Sequence, residues 1–220
     1  MWATLIRGNL WMNCVGRLAF PIFAFMIAEG YFHTKDYKKY MIRLLICALI
    51  SEIPFDLMYE GGVFFPFHQN VIWTFIIALL CIRVIDTVRE RGNKVKFIFT
   101  SLGFSLLGFL AGTLGMTDYF GPGVLTVLVF YFFRGRKWYM LLAQVISLYL
   151  INVSMLSGQD IPLIIGGHEF FFTIQGFALL ALIPIWLYRG KQGIRNSWTK
   201  WSFYLFYPVH MLILALIGLS

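Results

Sequence analysis

Charge is what this chain has least of. Only 13% of its 220 residues are Asp, Glu, Lys or Arg, about half the share of an ordinary soluble domain. Mean hydropathy is +0.77. A soluble globule of this length needs a polar shell, and the residues to build one are missing. A soluble enzyme is therefore ruled out as the default reading, and so is a disordered or fibrous chain. Cysteine is scarce as well. Cys14, Cys47 and Cys81 are odd in number, lie in separate apolar runs and form no C-x-x-C, so neither a disulfide framework nor a zinc site is expected. They read as small buried thiols, and no metal is expected. No G-x-S-x-G, H-E-x-x-H or Walker motif occurs. Nor is there an internal repeat, a low-complexity tract or a separate soluble domain. A cleavable signal peptide is not expected either: the first apolar stretch after Met1 is short, and the first long one contains Arg17.

What the chain has is apolar length: 60% hydrophobic residues, 19% of the total aromatic. A bilayer-spanning helix needs about 20 mostly apolar residues. Runs near 14–32, 40–59, 70–87, 97–115, 121–133, 138–156, 170–187 and 203–219 predict an all-α, polytopic transmembrane bundle of about eight spans. Together they make one integral-membrane domain over 1–220. The fifth span is short, and Gly121-Pro122-Gly123 blurs its start, so it reads as a half-helix or a thinned span. Phe and Trp near span ends read as interfacial anchors. The glycine-rich stretch 103–115 permits close helix packing and lacks a phosphate-loop pattern.

The net charge of +8 does not point to nucleic acid. The basic residues sit in short clusters between apolar runs and form no continuous stripe. Lys35, Lys38 and Lys39 follow span one; Arg89, Arg91, Lys94 and Lys96 follow span three. Arg134, Arg136 and Lys137 follow span five; Arg189, Lys191, Arg195 and Lys200 follow span seven. The intervening loops 60–69, 116–120 and 157–169 hold no Lys or Arg. Under the positive-inside rule this alternation puts the basic loops in the cytoplasm and both termini outside, in the plasma membrane.

Ionisable groups within a span cost roughly 2.5–3.5 kcal/mol each on insertion scales. They must be paired, wet or functional. Arg17, Glu29, Arg43, Glu52, Asp56, Arg83 and His210 are of this kind. Depth matches Arg17 with Asp56 and Glu29 with Arg43 across antiparallel spans. A helix turns about 100° per residue, so Arg17 and Glu29 differ in direction by about 120° and Arg43 and Asp56 by about 140°. Both pairs cannot share one seam, so at least one group faces a third helix or a cavity.

Glu52 and Asp56 share one helical face, with a kinking Pro54 between them. They can supply a general base or hold an acceptor amine; equally, Arg17 or another cation can neutralise them. His210, near mid-span beside Tyr207 and Pro208, is a proton-transfer candidate or a satisfied core histidine. His68 and His168 read as interfacial, beside Asn70 and Glu169, and His33 as a residue of a cytoplasmic loop. Arg83 can snorkel or pair with Asp86. Gln144, Asn152 and Gln175 read as interhelical hydrogen-bond partners.

Gly16-Arg17-Leu18-Ala19-Phe20-Pro21-Ile22-Phe23-Ala24-Phe25, then Glu29-Gly30-Tyr31-Phe32-His33-Thr34, resembles the TraX family. The resemblance continues through Lys39-Tyr40, Arg43-Leu44-Leu45 and Ser51-Glu52-Ile53-Pro54-Phe55-Asp56. It returns weakly at Asn70-Val71 and again at Phe206-Tyr207-Pro208-Val209-His210. The 16–56 block is specific, while 97–190 matches only as apolar helices. The family takes its name from a conjugative pilus protein that N-acetylates pilin. It is similar to a wider group of transmembrane acyltransferases that includes heparan-α-glucosaminide N-acetyltransferase. The resemblance implies acetyl transfer from acetyl-CoA to an acceptor at or across the membrane. Arg17, Glu29, Glu52, Asp56 and His210 are its family-matching polar positions. Family members begin with a further apolar helix carrying an Asp-His pair. This chain starts at Met1-Trp2-Ala3 without one, so the expectation is that this helix is missing.

Two functional expectations follow. In the first, the chain is an acetyl-CoA-dependent membrane acyltransferase acting on an amine or hydroxyl of a peptide or glycan. His210, Glu52, Asp56 and Arg17 are then its catalytic candidates; Arg17 orients a carboxylate or stabilises an oxyanion. Glu29, Asn70 and Tyr207 are the substrate-binding candidates. Arg134, Arg136 and Lys137 hold the cofactor phosphates, although topology alone accounts for their charge. In the second, it is a non-enzymatic transporter or assembly scaffold whose buried charges line a path or lock helices together. No motif encodes the acceptor or an oligomeric state.

Overall fold

A computed structural model describes residues 10–156, 158, 160–165, 168–190 and 197–219. Lys191 and Arg195 of the last basic cluster, and the chain start, lie outside the described residues, as do the side chains of His168 and Lys200. The long elements are α1 (Leu10–His33), α2 (Tyr37–Tyr59), α3 (Val71–Glu90), α4 (Lys94–Leu114), α5 (Phe120–Phe132), α6 (Trp138–Tyr149) and α8 (Ser197–Leu219); the short α7 is Leu182–Leu187. Asp36, Asn70 and Asn93 cap α2, α3 and α4, each side chain accepting an amide hydrogen from the first turn.

The all-α reading holds, with local differences. Four segments are long and apolar enough to cross a membrane: Cys14–His33, Val71–Glu90, Lys94–Leu114 and Trp138–Met155. α2 is as long, but Lys38, Lys39, Arg43, Glu52 and Asp56 lower its hydropathy. The expected seventh span, 170–187, is not one α-helix. Its first residues belong to a strand, β2 (His168–Thr173), paired antiparallel with β1 (Asp160–Ile165). The expected loop is thus half of a hairpin, tied at its base by the Thr173 hydroxyl donating to Asp160 at 2.7 Å. A 3₁₀ helix, Ile174–Ala181, then runs into α7. The larger 3₁₀ rise carries these residues about 25 Å, more than an α-helix of equal length would.

The chain forms two compact units, residues 1–30 with 125–188 and residues 31–124 with 189–220. The first is tied by buried amides. Gln144 donates to the Phe133 carbonyl at 2.8 Å and accepts from the Trp186 indole at 2.8 Å. Asn152, on a π-helical turn (Leu150–Met155) that continues α6, accepts from Gln175 at 3.1 Å. These are the interhelical bonds the sequence suggests, and in lipid they matter because apolar surfaces there gain little by meeting each other.

In the second unit α2 packs against both α3 and α8. The Lys35–Lys39 and Arg89–Lys96 clusters lie at one end, where Arg83 stands over the Tyr37 ring at 5.5 Å and Tyr31 donates to Asp86 at 2.9 Å. Two of the loops without Lys or Arg, 60–69 and 116–120, meet at the other end, where Gln69 bridges to Thr117. α4 shows the bilayer logic most plainly. Its long apolar side chains are exposed, Phe99 by 71% and Leu102 by 65%, an arrangement that would aggregate in water. Its buried residues are Gly108 and Gly112, a small-xxx-small seam that admits a close neighbour. A Cβ on Gly112 would stand 2.8 Å from the Phe120 carbonyl oxygen, whereas one on Gly103 meets nothing within 4 Å. Gly112→Val is therefore expected to lower stability by about 1–3 kcal/mol. Gly103→Ala is expected to leave Tm in detergent unchanged, and parallel melting curves check the pair.

Candidate functional site

The site is built where α2 ends. Glu52 and Asp56 stand one turn apart on α2, and Pro54 between them removes one helical hydrogen bond. After Tyr59 the chain does not lead away. Residues 60–69 fold back along the last turns of α2. The Phe65 amide donates to Asp56 Oδ2 at 2.8 Å. His68 packs edge-on against Phe55 and Tyr59, at 5.0 and 5.4 Å between ring centres. Asn70, fully buried, reaches the Ala48 carbonyl with its Nδ2 at 2.9 Å. Ala48 lies eleven residues before Tyr59, about 16 Å of helix. α3 therefore starts deep beside α2, not level with its end.

Asn70 uses both ends of its amide. Its Oδ1 accepts from the Ile72 amide at 3.0 Å, and its Nδ2 also donates to Glu52. Its backbone amide donates to Glu52 Oε1 at 3.3 Å, and the Trp73 indole donates to Oε2 at 3.1 Å. Glu52 is thus held as an acceptor by three donors from the start of α3. Asp56, 1% exposed, is different: its Oδ1 has no hydrogen-bond partner among the described residues.

A second loop closes on the first. The Gln69 amide donates to the Met116 carbonyl at 2.9 Å, and the Asp118 amide to the Gln69 carbonyl at 2.8 Å. The Thr74 hydroxyl donates to the Asp118 carbonyl at 2.6 Å and lies 3.0 Å from that of Thr117. Met116 and Tyr119 hold left-handed backbone, φ 49° and 63°. Such strain persists only where surrounding bonds fix it. His68 Nε2 lies 3.9 Å from Asp118 Oδ1. The nearby Asp118 carboxylate raises the His68 pKa above the ordinary histidine value; partial burial opposes the shift, and the Glu60 and Asp56 charges add to it.

α8 supplies Tyr207 and His210. The buried Tyr207 hydroxyl has Asp118, Tyr59 and Glu52 as electrostatic neighbours. The Val71 amide approaches it, yet no described residue meets hydrogen-bond geometry with it. His210 stacks on Phe206 at 4.9 Å and meets the Tyr207 ring edge-on at 5.5 Å. Its Nδ1 lies 2.9 Å from the Phe206 carbonyl. A carbonyl only accepts, so Nδ1 donates this bond, which in the neutral ring leaves the lone pair on Nε2.

Against this geometry, the comparisons with known proteins decide the family. The family model described as "TraX protein" matches residues 4–218. The chain belongs to the TraX family. It is also similar to "Probable fimbrial assembly protein FimC, serogroup H1" of Dichelobacter nodosus, 29% identical over 212 residues that make up 93% of this chain and 81% of that protein. No solved structure matches.

In this TraX chain the remaining sequence candidates sit as follows. Arg17 and Glu29 lie on α1 in the first unit. Arg134 forks onto Glu29, Nε to Oε1 at 2.6 Å and Nη2 to Oε2 at 3.2 Å. Arg136 donates to the Tyr188 carbonyl, and the Lys137 ammonium lies 5.8 Å from the Tyr139 ring centre. Arg43 bonds to Tyr204 on α8. Arg43 thus faces a third helix, α8, while Glu52 faces α3. The sequence reading missed Trp73, Thr117 and Asp118. Trp73 reads as one more anchor, although its place three residues after Asn70, on the same face, is a signal. Among the described residues no group of three His, Cys, Asp or Glu could hold a metal ion.

Asn70→Ala removes the α3 cap and both amide donors to α2. The expected loss is about 2 kcal/mol, the cap near 1 and the rest from unpaired buried acceptors, read by denaturation in detergent. For His68 the folded pKa is raised. The stabilisation is then complete below the ordinary value of about 6.5 and lost as pH rises through the raised one. Tm of the native chain is expected to fall over that interval, and Asp118→Asn to flatten the dependence in a pH-resolved melt.

Proposed function

We propose that this TraX-family membrane protein is an acyltransferase that moves an acetyl group from acetyl-CoA to an amine or hydroxyl of a peptide or glycan acceptor. The observation that supports the reading is the pair of buried, unsatisfied polar atoms, Asp56 Oδ1 and Tyr207 Oη, beside a carboxylate already fixed by Asn70 and Trp73. Buried polar groups left without partners are rare unless a ligand or water meets them. Asp56 Oδ1 can accept the proton of an acceptor N–H or O–H, and the Tyr207 hydroxyl can donate to an acyl oxygen. His210 Nε2 is a second base within the same helix turn. Glu52, with its oxygens engaged, positions Asn70 and Trp73. Arg17 is assigned the stabilisation of developing negative charge.

Acetyl-CoA supplies an activated thioester: the acceptor bonds to the acetyl carbon, the carbon–sulfur bond breaks, and the thiol takes up a proton. Its phosphates are assigned to Arg134, Arg136 and Lys137. Of these, the Lys137 ammonium makes no ion pair or hydrogen bond among the described residues, while Arg134 must leave Glu29. We place the basic end of each helix pair in the cytoplasm of the cell membrane on the positive-inside rule. A second reading, an assembly scaffold without chemistry, is favoured by the name of the fimbrial relative; in it the same network only locks helices.

Thiol release from acetyl-CoA, with a peptide or amino-sugar acceptor and the purified protein, separates the two. Asp56→Asn and His210→Ala are expected to lower kcat about 10²-fold or more. Alanine at Arg134, Arg136 and Lys137 together is expected to raise KM for acetyl-CoA. Release at the native rate in all these variants, or none from the native chain, sinks the acyltransferase reading.

A further inference from the structure

Arg43 lies two turns inside the amino end of α2, in a span where an unpaired guanidinium is costly. Its surroundings hold it without neutralising it. Nε donates to the Tyr204 hydroxyl at 3.2 Å, and its central carbon stands 5.9 Å from the ring centres of Tyr40 and of Tyr204. Aromatic faces attract a guanidinium at this range. Among the described residues no carboxylate pairs with it, and its two Nη groups make no hydrogen bond. What remains is a fixed, flat fork of N–H donors.

Such a fork matches a carboxylate or a phosphate bidentately. Three observations favour phosphate. Lys39 stands one turn earlier on the same face, and two like charges at that spacing repel each other unless an anion comes between them. Asp36 takes up part of that charge, 3.3 Å from Lys39 Nζ. Ile42 and Ile46 beside Arg43 are exposed by 55% and 51%, so the fork borders the lipid-facing surface. It also lies towards the basic end of the unit, about 10 Å along α2 from the cap.

We propose that Arg43, cradled by Tyr40 and Tyr204, binds a phosphate group on the α2–α8 seam. An anionic phospholipid headgroup and a phosphorylated soluble molecule carry the same chemistry. The inference does not rest on acyl transfer. Arg43 and Glu52 are nine residues and about 14 Å apart on opposite faces of α2.

The test uses the full chain, delipidated in neutral detergent. Phosphatidylglycerol and phosphatidylcholine are titrated with native mass spectrometry as the readout, and inorganic pyrophosphate by calorimetry. The native chain is expected to bind one phosphatidylglycerol or one pyrophosphate saturably. Arg43→Gln should weaken it tenfold or more, Arg43→Lys less, and Tyr40→Leu, which keeps the charge, several-fold. Lipid binding without pyrophosphate binding identifies a headgroup site, and the reverse a soluble phosphate; either supports the proposal. Binding of neither probe by the native chain, or equal binding by Arg43→Gln, overturns it. Should Arg43→Gln not elute as a folded species, unchanged affinity in Tyr40→Leu overturns it instead.

Discussion

One buried amide sets the depth of everything at the candidate site. Asn70 caps α3 with its oxygen and grips α2 with its nitrogen. The two jobs are inseparable, because the same side chain must stand at the start of one helix and beside Ala48 of the other. α3 consequently begins inside the unit, and the preceding loop is drawn back along α2. Phe65 then meets Asp56, and His68 lies between two aromatic rings. The second loop follows, because Gln69, adjacent to Asn70, offers its backbone to Met116 and Asp118. In a bilayer, where apolar surface gains little from meeting apolar surface, a polar clasp of this kind can dictate helix register more firmly than packing does.

The helices were legible because apolar length and capping residues are local. So was the shared face of Glu52 and Asp56, since four residues on a helix admit only one geometry. The divergence of Arg43 from the carboxylates also followed from counting residues. The docking of 115–119 onto 65–70 did not. It rests on backbone hydrogen bonds, which any residue can supply, and on left-handed backbone at Met116 and Tyr119 that no glycine announces. Asp118 therefore looked like an ordinary loop residue, though it faces both His68 and Tyr207. The hairpin was hidden for a related reason. Pro162 within β1 argues against a strand, yet a two-stranded pair leaves one edge of each strand free, where a proline costs no ladder bond.

The basic clusters illustrate how one feature can serve two purposes. Alternation along the chain is enough to explain them as topology signals. Arg134 is nevertheless engaged by Glu29, and Arg136 by a backbone carbonyl. Under the proposed acyltransferase reading, this engagement gives way to the cofactor phosphates. The Arg134 side chain is 42% exposed and that of Glu29 13%, and pairs reaching into solvent contribute about 0–1 kcal/mol. A ligand with several phosphate charges outweighs that.

α2 carries both the carboxylates of the candidate site and Arg43. It carries more ionisable residues than the neighbouring spans, too many to face lipid around its whole circumference. Its two polar faces survive because different partners cover them. α3 presents Asn70 and Trp73 to Glu52, while α8 presents Tyr204 to Arg43. The strip between, from Ile42 to Ile53, is apolar and exposed. A helix arranged in this way is held by its neighbours' polar groups and spends its own on a buried carboxylate face and a cationic edge. The specific 16–56 block, which carries the family resemblance, ends on this helix at Asp56, whose Oδ1 is the first of the two unsatisfied atoms.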